Sequence, residues 1–530
     1  MKKIAVLLAL IACSHFPYQG LCQTSSYWQQ FLDGQSESIT DFSYAGYHFG
    51  EANLPSLAEL PIFKVEDYGA IPGDEKSDLS AINKAIAAAE AAKGGVILFE
   101  TGTYLIQEAQ DNGERIMISS SKIVLKGQGS GKDGTTLFMR MPLEPADPKK
   151  LWSIPAMIEF KGKNASRSIG TLSKSVRIGS YEMTFSKAHG LKPGDIVKIS
   201  TQGTFLNERM LYGKGTRDKW TNINEKGPYV NELNQVAKVK GKTVIFRAPM
   251  LLDMNPGEEW EIEKVSLLAN CGLEDIRFAG NFQEEFVHHK NALHDGGYTG
   301  VSMTRTINSW VDNCVFVDVS RAVSFGSSLC GTILNCEVHG NGGHGSFGMS
   351  RSSRGLIAYC ADSANQWHGP NSSHGSVGTV VLGFDGLNRG IDLHAAFPRF
   401  TLFDDCEMAG FDGDSVGRAS HGGNYINLPN HLEGLVFWNF KQTDRPRPDF
   451  NFWDLMEDTP NDLYGPLTAI DPILVGYQGK GTSFVPENVG GIESWGKRVD
   501  PHSLYLAQLK ARGKEIPHHL AEQEKGRRNQ

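Results

Sequence analysis

The sequence predicts an all-β fold: a right-handed parallel β-helix with an N-terminal capping helix and a small inserted β subdomain. Three observations carry this. Short β-branched segments recur at a near-constant interval. Glycine is abundant, at 59 residues, while long amphipathic runs are few. Each recurring segment is too short to bury an apolar face alone, so it must stack on its neighbours.

The recurrence is clearest in Gly331-Thr-Ile-Leu-Asn-Cys336, Gly355-Leu-Ile-Ala-Tyr-Cys360, Gly378-Thr-Val-Val-Leu-Gly383 and Thr401-Leu-Phe-Asp-Asp-Cys406, whose corresponding positions lie 24, 23 and 23 residues apart. Val311-Asp-Asn-Cys314-Val-Phe extends the series backwards by 22 residues, and Leu273-Glu-Asp-Ile-Arg-Phe278 adds a further rung before a longer excursion. Polar Gly/Asn/Ser turns separate the strands. The recurrent cysteine reads as an inward ladder of small buried side chains. Disulfides would be the usual expectation in an exported chain, but no Cys-x-x-Cys pair points to metal, and the ladder explains the spacing better. A leucine-rich repeat, the rival solenoid, lacks its Leu and Asn spacing here.

In chain order, Lys2 and Lys3 precede an apolar run from Ile4 to Cys13, too short to span a bilayer, and read as an export signal over residues 1–22. Cleavage near Cys22-Gln23 is preferred, which makes the protein secreted or periplasmic. The alternative, a lipoprotein box at Leu10-Ile11-Ala12-Cys13, would make it an outer-membrane lipoprotein through Cys13. No transmembrane segment follows. Residues 23–60 form an N-terminal extension and 61–163 the first coils. There, Phe63 to Ala70 is a strand, 80–92 an Ala-rich helix with Asp78 as N-cap, and Gly94 to Phe99 and Gly102 to Ile106 are further strands.

These residues carry a resemblance. Asp67-Tyr-Gly-Ala70, the Asp-containing loop after it, Ala81-Ile82 with Ala85-Ile86, Gly94-Gly95 and Gly102-Thr-Tyr104 are similar to the opening of the pectate-lyase-like superfamily. The resemblance implies a right-handed parallel β-helix and, commonly, polysaccharide lyase or hydrolase activity. Lyases of this superfamily often use Lys or Arg as base, frequently with calcium. Phage tailspikes share the fold, so it specifies substrate weakly.

Short strands with hairpin turns then mark an inserted β subdomain over 164–250. Its Arg209, Arg217 and Trp220 are candidates to reach substrate. The main helix occupies 251–440. A C-terminal extension over 441–530 loses the repeat, with a short helix from Ser503 to Arg512 and a frayed charged tail.

A net charge of −8 argues against nucleic acid as partner, but a local site can still oppose the overall sign. Residues 291–440 contain no lysine, yet hold eight of the sixteen histidines and seven arginines. Arginine without lysine suits bidentate recognition of carboxylate or sulfate. Histidine is the side chain most ready for proton transfer near neutrality.

The repeat turns positions into columns. One column holds His344, His368, Ile391 and Asp414, with Asp392 and His394 just beyond Ile391; the other holds Arg351, His374, Arg399 and His421. Trp367 and Tyr425 could stack on sugar rings. The expected function is β-elimination on a uronic-acid-containing polysaccharide, sulfated or not, by a monomeric enzyme. His394, Arg399, His374 and His368 are its catalytic candidates. Arg389, His344, Arg351, Trp367, Asp392 and His421 are its substrate-binding candidates. No lysine base is available in the stack unless Lys290 reaches in from its excursion. No metal site is assigned, although calcium remains a candidate cofactor through Asp412 and Asp414. Glycoside hydrolysis through paired carboxylates, drawn from Asp385, Asp392 and Asp414, is the alternative. A non-catalytic glycan-binding solenoid is the third reading. Asp404 and Asp405 read as structural, because neighbouring strand residues face opposite ways.

Overall fold

The recurring segments wind into three parallel sheets, to which successive coils contribute strands. The computed structural model describes residues 23–35, 39–394, 396–411, 424–455 and 467–528. Among these, the first sheet has twelve strands, running in coil order from Ile62–Lys64 to Gly491–Glu493. The second has nine and the third six, the latter including Thr299–Thr304, Arg321–Gly326, Gly345–Ser350 and Asn371–Ser373. Every crossover in the stack joins parallel strands, the connection that is right-handed in nearly all proteins.

The corners explain the Asn/Asp/Gly pattern. Asp275, Asn313, Asn335, Tyr359, Gly383, Asp405 and Asn439 all have positive φ, near +50°, at the turn between the first and second sheets. Asn and Asp tolerate this left-handed conformation better than other side chains, and Gly383 adopts it without penalty. Some of these residues also clasp neighbouring coils: Asn313 Nδ2 donates to Asp275 Oδ1 at 2.6 Å.

The cysteine ladder is inward and reduced: all six described cysteines are free and buried. Thiols donate weakly to carbonyls two residues back, Cys336 to Leu334 at 3.1 Å and Cys360 to Ala358 at 3.3 Å. The register corrects the sequence reading by one residue. Leu356 pairs with Val380 and Val380 with Leu402, so the spacings are 24 and 22. Phe384, not Gly383, therefore takes the place between Cys360 and Cys406. Cys271 lies off the ladder, because Ile276 is the residue in register with Cys314 through the pairing of Glu274 with Asp312.

The helix Leu79–Ala91 buries Ile82, Ala85 and Ile86 against the first coils, with Ile97, Tyr104 and Ile116 in the same apolar cluster. Asp78 stands at its N-cap position without a side-chain cap bond. Its carboxylate instead accepts from the Ile71 and Leu105 amides, at 2.8 and 3.0 Å.

The insertion is an antiparallel six-stranded sheet. It ends later than its hairpins suggested, because Glu261–Val265 pairs with both Ile196–Gln202 and Ser166–Ser168. It is welded to the helix by an apolar cluster that unites Val230 and Trp220 with Phe397, Leu428, Leu432 and Trp453. The buried Arg354–Glu232 ion pair, at 2.9 Å, adds to this junction. Trp220 is thus core, and Arg209 pairs with Glu258 at 3.1 Å.

The coils also continue past 440: Ile473–Val475 and Gly491–Glu493 extend the first sheet. The helix Leu504–Ala511 packs on the outside of that sheet through Leu504, Tyr505 and Leu509. The tail expected to fray forms a helix, His518–Arg528, anchored by buried Leu520 and by Arg527 on Asp385 and the Gly383 carbonyl. Among the described residues, no helix is long and apolar enough to cross a membrane. The export signal lies outside the described residues.

Candidate functional site

The first predicted column exists at the corner entering the third sheet. His344 precedes the strand Gly345–Ser350, and His368 bridges to Gly345 on the next coil. The rings of His344 and His368 lie 5.0 Å apart, and those of His368 and His394 4.9 Å apart, close to one coil rise. Asp392, bridged through Asn371, continues the column. Ile391 is buried in the core, and His394 stands beside His368.

Asp392 is 1% exposed and organises its surroundings. Oδ2 accepts from Asn371 Nδ2 at 2.6 Å and lies 3.3 Å from His368 Nδ1, while Oδ1 lies 3.6 Å from His394 Nδ1. Burial alone would raise its pKa, but the two histidines hold it well below the usual carboxylate range. Burial would lower the His394 pKa, yet the neighbouring carboxylate of Asp392 outweighs this and raises it. The His368 pKa is lowered, burial outweighing Asp392. His344 is pushed well down by burial and by the positive field of Arg321 and its histidine neighbours. The His394 side chain is 33% exposed, His368 14% and His344 7%. His394 is therefore the member of the column most open to a ligand.

A second element completes the cluster. The excursion between Ile276–Ala279 and Thr299–Thr304 folds back and brings His288, His289 and Asp295 over the column. The His288 ring stacks on Trp367 at 4.9 Å and lies 5.2 and 5.6 Å from His344 and His368. His289 Nδ1 lies 2.8 Å from Asp295 Oδ2. His344 Nδ1 lies 2.9 Å from the Asp295 carbonyl and 3.2 Å from Arg321 Nη2. Arginine can only donate, so the two contacts demand opposite tautomers. We assign the Nδ1 proton to the shorter, carbonyl bond. His288, His289, Asp295 and Arg321 were not singled out from sequence. The adjacent His288-His289 pair was the available signal, and it falls just ahead of the lysine-free segment.

The second column is partly real. Arg351 and His374 are successive positive-φ corner residues leaving the third sheet. Arg351 is exposed, and the His374 pKa is lowered to about 4, first by burial and then by Arg351. Arg399 does not join them. It pairs with Val377 at the start of the first sheet, in line with Ser353 and Leu329, because among the described residues the turn after Asp392 contributes no further third-sheet strand. Its side chain is 1% exposed, and Nη1 donates to the Leu251 carbonyl at 2.8 Å and to Glu433 at 3.2 Å. Arg399 is thus a buried strut rather than a group open to substrate. Trp367, half-buried, stacks on His288. The Arg389 side chain, His421, Asp412 and Asp414 lie outside the described residues. Tyr425 stacks against the ammonium of Lys219 at 5.2 Å. Lys290 is held by Glu284 at 2.7 Å.

Asp404, read as structural from the sequence, and the hydrolysis candidate Asp385 are both engaged. Asp404 is buried and accepts from Ser503 Oγ and the Leu504 and Tyr505 amides at 2.7, 3.1 and 2.8 Å. Asp385 pairs with Arg527 at 3.0 Å. Calcium, which the resemblance implies, takes six to eight oxygen ligands. The described cluster offers mainly imidazole nitrogens, with its carboxylates already bonded behind them, and does not fit that ion.

Among known families, residues 62–141 match rhamnogalacturonase A/epimerase, pectate lyase-like. Residues 365–523, which include His368, His374, Asp392 and His394, match a domain of unknown function, DUF4955. No curated protein matches the chain in sequence. Similar solved structures include the tailspike protein gp49 of Pseudomonas phage LKA1, at 13% identity and TM-score 0.44, over 82% of this chain and 77% of that one. The A-module of mannuronan C-5 epimerase AlgE6 of Azotobacter vinelandii is 11% identical with TM-score 0.40, over 82% and 95%. PfbA, a surface adhesin of Streptococcus pneumoniae, is 11% identical with TM-score 0.41, over 78% of each chain. The chain is thus a right-handed parallel β-helix whose first coils, residues 62–141, match a pectate-lyase-like family.

Proposed function

We propose that the chain is an exported polysaccharide lyase that cleaves a uronic-acid-containing glycan by β-elimination. The observation that carries this reading is His394: an imidazole one-third exposed on the outer face of the helix, with the buried carboxylate of Asp392 behind its Nδ1. A carboxylate in that position orients the ring and favours the tautomer whose Nε2 can accept a proton. In the reaction His394 takes the proton beside the uronate carboxylate. The C–H electron pair becomes the new double bond, the glycosidic C–O bond breaks, and the departing oxygen takes a proton from solvent. Exposed Arg351 and half-buried Arg321 supply cations along the same face for the substrate's acidic groups. The insertion bounds this face on one side, since Asn231 Nδ2 donates to the Gly375 carbonyl at 2.9 Å, next to His374.

Hydrolysis is the weaker reading, because it needs two carboxyl groups flanking the bond. Asp392 and Asp295 are both buried and serve as anchors for imidazoles. The test is a panel of acidic polysaccharides (pectate, alginate, glycosaminoglycans, ulvan) followed both for ultraviolet absorbance of unsaturated uronate and for new reducing ends. Both signals rising together support elimination. Reducing ends without absorbance would replace it with hydrolysis, and binding without cleavage would replace it with a glycan-binding role.

A further inference from the structure

The geometry assigns a binding site for one divalent transition-metal ion, zinc or an ion of its class, to His288, His344 and His368. One ring nitrogen from each lies within 4.8 Å of the other two, in a pocket where His344 is buried and the other two are half-buried. A tetrahedral ion with bonds of about 2.0–2.1 Å holds its ligand atoms about 3.4 Å apart. Starting from 4.8 Å, each nitrogen needs to move inward by about 0.8 Å at most, within the reach of a small ring rotation.

The groups behind the rings point the same way. Metal-bound histidines characteristically donate their second nitrogen to a carboxylate or a backbone carbonyl, which fixes the tautomer and makes the ligating nitrogen more basic. Both partners are present. His368 Nδ1 lies 3.3 Å from Asp392 Oδ2, and His344 Nδ1 lies 2.9 Å from the Asp295 carbonyl. Each therefore turns its Nε2 lone pair away from its anchor. The third ring, His288, is positioned by stacking on Trp367. Imidazole ligands suit zinc, copper, iron and nickel rather than calcium or magnesium. Three protein ligands leave a fourth position open, the arrangement of reactive rather than structural zinc sites.

A second triad, His368, Asp392 and His394, shares one histidine with the first. There the ion would take as a ligand the carboxylate that stands behind the His368 and His394 rings, so the first triad is the better cage. It also leaves His394 beside the ion rather than on it. If the lyase reading holds, the ion supplies the charge that neutralises the uronate carboxylate, a role that Arg399 is too buried to fill. That assignment of role rests on the proposed function; the binding site does not.

The full chain, stripped with chelator and dialysed, is titrated calorimetrically with zinc chloride and, separately, followed by visible absorption during addition of cobalt chloride. We expect one ion per chain and the ligand-field bands of four- or five-coordinate cobalt. His288→Ala and His344→Ala should abolish both signals, and Asp392→Asn should weaken binding about 10–100-fold. His288 sits on an outer excursion, so His288→Ala keeps the test valid even if His344→Ala fails to fold. Absence of saturable binding by the wild type would overturn the site. So would binding that survives unchanged in a folded His288→Ala variant. No glycan is present in this titration: elimination without metal binding would remove the site and spare the lyase, and binding without elimination would do the reverse.

Discussion

Replacing Arg399 separates structure from chemistry at the position where sequence and structure disagree most. Arg399 is 1% exposed, and its Nη1 joins the Leu251 carbonyl of the insertion junction to Glu433. Arg399→Ala strands both acceptors. Removing one member of a buried ion pair costs about 3–5 kcal/mol. Glu433 keeps the Tyr212 hydroxyl, at 2.6 Å, and is 15% exposed, which places the cost near the low end, at about 3 kcal/mol. His394→Ala, at a side chain one-third exposed, should cost less than about 1 kcal/mol. The assay is urea unfolding followed by tryptophan fluorescence, since Trp220 and Trp453 lie in the apolar cluster that joins insertion to helix. It is paired with the elimination rate per folded molecule on whichever glycan the wild type cleaves. Arg399→Ala should shift the unfolding midpoint and leave the rate of the folded fraction within a few-fold. An unchanged midpoint with the rate lost would refute the strut and return Arg399 to the active site.

Acid should destabilise the fold through its buried neutral histidines. His431 is fully buried, with Nδ1 against the Leu432 carbonyl and Nε2 against Thr401 Oγ1, and its pKa is lowered to about 4 by burial. The unfolded chain therefore binds the extra proton first. The stability His431 contributes is complete above about pH 6.5 and falls by about 3 kcal/mol on reaching pH 4. Urea midpoints measured across that window should decline, and less steeply in His431→Gln; equal slopes would show that His431 is not responsible. Asp404→Ala removes three hydrogen bonds at the start of Leu504–Ala511 and should cost about 3 kcal/mol, with faster amide exchange in that helix but elimination retained. Loss of elimination at normal stability would instead show that Asp404 acts in the reaction. Arg527→Ala frees the C-terminal helix from Asp385 and the Gly383 carbonyl, and limited proteolysis should then cut beyond Gly513 sooner than in the wild type. Identical digestion would mean that buried Leu520 and contacts such as Tyr359 with Glu524 hold the tail without Arg527.

The coil architecture was legible because each coil writes the same constraint into the sequence. A strand too short to stand alone is followed by a corner residue that tolerates positive φ. The register was less legible, since Gly378 to Gly383 looks like its neighbours while Phe384 actually fills the cysteine position. Arg399 entered the wrong column for another reason: after Asp392 the chain turns into the first sheet, where Arg399 pairs with Val377. The last coils escaped notice because a long excursion separates Leu435–Trp438 from Ile473–Val475, and no sequence period bridges it. At the site, His344, His368, Asp392 and His394 were found because columns follow from the repeat. His288 was not, because it arrives from an irregular excursion whose path is set by packing: Phe286 and His288 against Trp367, and His294 against Phe282. The tail helix was hidden for a similar reason. Its charged sequence has little apolar face, and Arg527 docks it through groups contributed by distant coils.

The most direct test of the central claim is the rate of unsaturated-uronate formation by wild type and His394→Ala at matched concentrations of folded protein. The account predicts a rising ultraviolet signal for the wild type and a rate about 10²–10⁴-fold lower for the variant, with unfolding midpoints nearly equal. An undiminished rate in His394→Ala, or wild-type cleavage that yields reducing ends without absorbance, would contradict it.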